Sequence, residues 1–127
     1  MNITAIDHMV MTVQDLQKTI DFYTHILGMQ EITFGAGRKA LLFGQQKINL
    51  HQKGNEILPN ARHAEVGTID ICLLTSTPLE QVLQELAKQN VNVEEGIVER
   101  TGAVGAIRSI YLRDPDGNLI EISQYDE

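Results

Sequence analysis

Polar and apolar residues alternate through the opening stretch Ile6-Asp7-His8-Met9-Val10-Met11-Thr12-Val13. Successive side chains of a strand point to opposite faces, so Ile6, His8, Val10 and Thr12 share one face and Met9, Met11 and Val13 the other. The period then changes. Leu16, Ile20, Tyr23 and Leu27 recur at steps of four, three and four, one stripe of a helix. Asp15 stands where an N-cap is needed and Gly28 at the C′ position, while His25 falls opposite the stripe, towards solvent. Three apolar runs follow at 29–34, 39–43 and 47–52, broken by Gly35-Ala36-Gly37 and Gly44-Gln45-Gln46. Short runs with glycine between them predict a meander of strands. Residues 54–67 carry Gly54, Pro59 and Asn60 without a period and read as a linker.

The same order then returns. Residues 68–75 predict a strand, and Thr77-Pro78-Leu79-Glu80 predicts a helix start with a threonine N-cap, proline at N1 and glutamate closing a capping box. Leu79, Val82, Leu83 and Leu86 form the buried stripe, with Asn90 as the stop. Strands are expected at 95–100, 107–113 and 118–124, the last two joined by the turn Asp114-Pro115-Asp116-Gly117. Two β-α-β-β-β modules result, about 1–53 and about 68–127, within a single domain of α+β class. Laid on each other, they match His8 with Asp70, and Ile48-Asn49-Leu50-His51 with Ile120-Glu121-Ile122-Ser123. In each closing strand the isoleucines and leucine suit a core, and the alternate positions face outward as Asn49 with His51 and Glu121 with Ser123. With the helices outside two curved sheets, those polar faces line a shared groove.

Composition narrows the function. The chain has 127 residues, 43% apolar and 21% charged, as an ordinary soluble domain does. A net charge of −7 argues against nucleic acid, which demands a concentrated basic surface. No run approaches the roughly 20 apolar residues that span a bilayer, and Met1-Asn2-Ile3-Thr4 is no signal peptide, so a membrane role is not expected. The lone Cys72 forms no internal disulfide, and a cytoplasmic setting follows as the expectation.

The groove residues carry the candidate chemistry. A histidine with oxygen ligands on rigid strands suits a divalent first-row metal. Two sets compete: His8 with His51 and Glu121, or His8 with Asp70 and Glu121. Against both stands the ordinary role of a histidine in an apolar strand, a hydrogen-bonded core residue. Cys72 shares the groove face but has no base beside it, His63 lies in the linker, and Gly102-Ala103-Val104-Gly105 suits a mobile flap. Arg108 and Arg113 flank the strand beside Glu121 and are candidates for an anionic substrate group.

The stretches quoted so far, with Phe22-Tyr23-Thr24-His25-Ile26-Leu27-Gly28-Met29 and Ile110-Tyr111-Leu112-Arg113-Asp114-Pro115-Asp116-Gly117-Asn118-Leu119-Ile120-Glu121, resemble the vicinal oxygen chelate superfamily. It groups glyoxalase I, fosfomycin resistance proteins, extradiol dioxygenases and bleomycin resistance proteins. The resemblance implies a pair of βαβββ modules forming a curved mixed β-sheet half-barrel, a small-molecule substrate and a homodimer. It also implies a divalent metal (Zn, Ni, Mn or Fe), with ligands from the first and last strands of each module. His8 and Glu121 match two ligand positions, and Glu121 is also the catalytic candidate. Asp70 stands where the second module usually offers histidine, with His51 as the other candidate to complete the site. Asn49 stands where glyoxalase I offers glutamate and is assigned to substrate. Arg108-Ser109-Ile110-Tyr111 is similar to the phosphonate-contacting strand of fosfomycin resistance proteins, which puts Arg108 and Tyr111 in a substrate role. Two functions are carried forward. The first is a metal-dependent lyase, isomerase or epoxide-adding enzyme; the second is a metal-free sequestration protein of the bleomycin-resistance type.

Overall fold

The structure is a computed structural model that describes residues 1–126. The chain divides into two compact units, Met1–Gly67 and the segment from Thr68 onward. The first contains β1 (His8–Val13), α1 (Leu16–Asp21), a π-helical turn (Phe22–Ile26), β2 (Gln30–Phe34), β3 (Arg38–Phe43) and β4 (Gln46–Gln52). The second contains β5 (Asp70–Leu74), α2 (Leu79–Lys88), β6 (Val93–Thr101), β7 (Ala106–Arg113) and β8 (Leu119–Tyr125). Each unit builds one mixed four-stranded sheet, ordered β1-β4-β3-β2 and β5-β8-β7-β6. The first strand pairs parallel with the last, and the other pairs are antiparallel. This is an α+β fold of two βαβββ modules.

Alternation places the cores. In the first unit Met11, Val13, Leu41 and Ile48 are fully buried with Tyr23 of the helical segment. In the second, Leu79 of α2 is buried with Ile110, Leu112 and Ile120. β1 begins at His8, and Ile6 lies outside it, exposed, its carbonyl accepting from Gln46 Nε2 at 2.7 Å.

The helix ends show where local signals hold and where they give way. Asp15 caps α1, its carboxylate accepting the Lys18 N–H at 3.0 Å. The Thr24 hydroxyl donates to the Ile20 carbonyl at 2.8 Å, and the Leu27 N–H reaches back five residues to Phe22 at 3.4 Å. A threonine bonding back along the helix disturbs the ladder and widens the last turn. Gly28 then follows at φ +74°, as a C′ glycine should. The capping box expected for α2 does not form. Pro78 itself is the N-cap and no side chain of the segment caps the helix. Instead Gln124 Oε1 accepts the Leu79 N–H at 3.2 Å, while Glu80 turns to Arg108 at 2.8 Å. The strand outcompetes the local motif because its carboxamide already sits beside the helix start. Asn90 stops the helix with φ +57°.

The turn before β8 ties the second unit together. Asp114 Oδ1 accepts the N–H groups of Asp116 and Asn118, both at 2.9 Å, and Gly117 takes φ +84°. Asn118 is fully buried; its amide donates to Asp114 Oδ2 at 2.7 Å and its carbonyl accepts the Ile69 N–H at 2.8 Å. One side chain therefore joins the turn to the start of β5. Replacing it with alanine strands the part-buried Ile69 N–H and removes one hydrogen bond from the Asp114 carboxylate. Asn118→Ala is expected to lower unfolding free energy by about 2–3 kcal/mol, measured by urea denaturation. Asn92→Ala, at an exposed position, is expected to be silent.

Candidate functional site

Strand register fixes which groups are equivalent. In the first unit His8, Val10 and Thr12 pair with Lys47, Asn49 and His51. In the second Asp70, Cys72 and Leu74 pair with Leu119, Glu121 and Ser123. The two ladders correspond step for step, so His8 is the counterpart of Asp70, Asn49 of Glu121, and His51 of Ser123.

Glu121 has the most developed surroundings. It projects from β8 beside a cavity of about 440 Å³ that Cys72, Arg100, Tyr111, Ile107 and Tyr125 also line. Its Oε2 accepts the Ser109 hydroxyl at 2.6 Å and lies 3.4 Å from that of Ser123, and the two serine oxygens are 2.7 Å apart. Both serines are fully buried. Ser109, with Ser123 behind it, thus holds one carboxylate oxygen of Glu121. Cys72 Sγ lies 3.2 Å from the Ser123 hydroxyl. Burial pushes the thiol up; the Ser123 hydrogen bond opposes this, and the Glu121 charge adds to it. A raised thiol pKa disfavours the thiolate that a cysteine nucleophile needs.

The rim is built from β6, β7 and their connection. Arg100 donates to the Tyr111 hydroxyl at 3.0 Å and reaches Glu95 at 3.5 Å. Tyr111 pairs with Glu121 in register, so both side chains share a face. Arg108 does not belong here: it pairs with Gln124, on the opposite face, and its guanidinium is matched by Glu80 at 2.8 Å. Arg113 is likewise engaged, holding Glu94 at 2.9 Å. The guanidinium at the cavity is that of Arg100. The connection expected to be a flap is tethered, because the Val104 N–H donates to Tyr125 Oη at 3.2 Å and Gly102 bonds Gly105 at 2.7 Å. A Cβ at Gly102 would stand 2.6 Å from the Tyr125 hydroxyl, so only glycine lets the chain pass so close.

The other candidates are placed as follows. His8 is half-exposed, and its Nδ1 lies 2.7 Å from Oδ2 of the exposed Asp7. A carboxylate behind a histidine is the usual support for a metal ligand. Asp70 is exposed on the face of Glu121, two residues back along the neighbouring strand. His51 is buried, with neither ring nitrogen paired, and the Asn49 Oδ1 beside it on β4 is likewise unpaired. His51 lies four residues along the β1–β4 ladder from His8, about 13 Å at strand rise. His51 therefore does not complete a metal site with His8 inside the first unit. Within neither unit do three or more His, Cys, Asp or Glu side chains gather as a metal-holding group among the described residues. His25 and His63 are exposed.

Sequence reasoning does not single out Ser109, Arg100 or Asp7. Ser109 has a signal, since it alternates with Tyr111 on the face of Glu121. Arg100 has none, because the β6–β7 pairing shifts register twice before it reaches this row.

With the geometry in place, the comparisons with known proteins define the class. The chain matches the Glyoxalase/Bleomycin resistance protein/Dioxygenase superfamily over residues 5–122, and it belongs to that superfamily. It is 54% identical to Virulence protein STM3117 of Salmonella typhimurium over 98% of this chain and 87% of that protein. The crystal structure of that protein superposes with a TM-score of 0.98, covering 99% of this chain and 100% of that one. It is 50% identical to the glyoxalase domain-containing protein RDO1 of Mycosarcoma maydis, over the full chain and 72% of the relative. The Metallothiol transferase FosB of Staphylococcus epidermidis is 30% identical over 96% of this chain and 82% of FosB. No helix among the described residues is long and apolar enough to cross a membrane.

The buried His51 makes a prediction of its own. Burial chiefly, and the Arg38 charge next, lower its pKa below the ordinary 6.5, with Glu56 opposing. The unfolded chain then binds a proton that the folded chain refuses, so stability falls as pH drops below about 6.5 towards the lowered value. The urea midpoint of the natural protein should fall more between pH 7 and 5 than that of His51→Gln. Parallel pH profiles for the two proteins would contradict this placement of His51.

Proposed function

We propose that this chain is a divalent-metal-dependent enzyme of the glyoxalase-like type, acting on a small oxygenated substrate. The observation that carries the reading is Glu121, a carboxylate lining a cavity, with one oxygen held by the buried Ser109 hydroxyl and with Ser123 packed behind that hydroxyl. The donor set suits the group. His8, backed by Asp7, and Glu121, backed by Ser109, are the two donors we assign, with Asp70 as the further oxygen ligand. An imidazole and two carboxylates favour manganese, iron, nickel or zinc over softer ions. When bound, such a metal polarises neighbouring substrate oxygens and stabilises the charge that develops on them.

The remaining chemistry belongs to the chain itself. Ser109, with Ser123 behind it, orients the Glu121 carboxylate. Glu121 is also our candidate proton carrier. Tyr111 lies on the same face and is held by Arg100, which suits a role in positioning substrate. Resemblance to a metallothiol transferase supports group addition within this class. The reading extends to a homodimer working in the cytoplasm, where the Cys72 thiol stays reduced.

A metal-free sequestration protein is the second reading. It is favoured by the wide spacing of donors within each unit, where no three gather among the described residues. Metal analysis separates the two. Protein purified without chelator or affinity tag should carry near-stoichiometric metal; His8→Ala and Glu121→Ala should lose it, and His25→Ala should keep it. If the natural protein holds none and takes up none of manganese, nickel, zinc or ferrous iron, the enzyme reading fails.

A further inference from the structure

The first unit presents a sheet face on which only His8 is assigned to the metal. Register and alternation put Phe34, Arg38, Ala40, Lys47, Asn49 and His51 on one side of the sheet, together with His8 and Thr12 of β1. None of the strand residues on that side is a carboxylate. The chain as a whole carries a net charge of −7, so a face with cations alone is a local departure. The acid of β2, Glu31, lies on the opposite side, bound to Lys39 at 2.9 Å.

The two cations are held in place. The Arg38 guanidinium carbon stands 4.8 Å from the Phe34 ring centroid and the Lys47 ammonium 3.8 Å from it. Ring attraction fixes both heads over one aromatic without neutralising either charge. Among the described residues neither makes a salt bridge. Glu56, which follows β4, is the acid that acts on His51, and its Oε1 already accepts the Gly54 N–H at 2.9 Å.

Beside these cations lie two buried polar side chains with open valences. Asn49 is 5% exposed and His51 4%, yet Asn49 Oδ1 and both ring nitrogens of His51 lack partners. Buried polar groups left unpaired are costly and call for a partner, whether a water, an ion or a ligand. A neutral imidazole offers one donor and one acceptor, and Asn49 Oδ1 offers another acceptor. Two hydroxyls, each giving one hydrogen bond and able to take another, satisfy all three. A nearby anionic group satisfies Arg38 and Lys47.

From this juxtaposition we infer that the sheet face of the first unit binds a small hydroxylated anion, a hydroxycarboxylate or a phosphate ester. Arg38 and Lys47 take its charge, and Asn49 with His51 takes its hydroxyls. The inference deepens the enzyme reading by naming the substrate's charge. It rests on that reading only for the claim that the ligand is a substrate.

Calorimetric titration of the full chain tests it, with D-glycerate, glycerol 3-phosphate and glycerol as probes. Each is run on protein as purified and on chelator-stripped protein, so loss of metal is read separately from loss of anion binding. At least one of the two anions should bind in the millimolar range or tighter, and which one does identifies the anionic group. Glycerol should not bind. Arg38→Gln and Lys47→Gln should each weaken binding about ten-fold, Asn49→Ala should weaken it too, and Glu31→Gln on the other side should leave it unchanged. Far-UV circular dichroism confirms that each variant is folded. The proposal is overturned if neither anion binds at about 20 mM, if glycerol binds equally, or if Glu31→Gln weakens binding as much as Arg38→Gln.

Discussion

In each unit one glutamine side chain joins the closing strand to both the first strand and the helix that follows it. Gln52 Oε1 accepts the Leu16 N–H at 3.0 Å, and its Nε2 donates to the Gln14 carbonyl. Gln124 does the same, accepting from Leu79 at 3.2 Å and donating to Thr75 at 3.3 Å. Each carboxamide caps a helix and closes the end of a strand pair in a single group. Because strand side chains alternate, fixing Gln52 and Gln124 towards the helix fixes His51, Asn49, Ser123 and Glu121 on the other face. A slip of one residue would bury Glu121 among Ile110, Leu112 and Leu79. The placement of the candidate chemistry thus depends on two uncharged hydrogen-bonding groups at the helix starts.

The two open faces that result are related but not alike. The second unit supports its carboxylate with buried hydroxyls and carries Arg100 at the cavity. The first unit supports its histidine with an adjacent carboxylate and collects unpaired cations over Phe34. Equivalent positions in the two ladders carry different charges: Asn49 against Glu121, His8 against Asp70. Membership of the glyoxalase/bleomycin resistance protein/dioxygenase superfamily matches that architecture.

Much of this is legible in the amino-acid sequence. Alternation through β1, β4 and β8 places His8, Asn49, His51 and Glu121 on the sheet faces opposite the apolar cores, and the Asp114–Gly117 turn follows from its proline and glycine alone. Arg108 departs from its expected substrate role because it stands three residues from Tyr111, an odd step that puts it on the opposite face. The failure of the Thr77 capping box has no local signal, because its competitor Gln124 lies far along the chain. Arg100 is hidden by the register shifts in β6. His51 is visible as a residue, but its unpaired nitrogens depend on burial, which period-two alternation does not report.

Paramagnetic relaxation offers the most direct measurement of the central claim, that His8 and Glu121 serve one metal-dependent function. Manganese is titrated into isotope-labelled protein, and line broadening is followed at histidine rings and glutamate carboxyls. His8 and Glu121 should broaden together at the lowest manganese concentrations, while His25, His63 and Glu80 remain sharp. Broadening confined to the exposed carboxylates, with His8 and Glu121 unaffected, would contradict it.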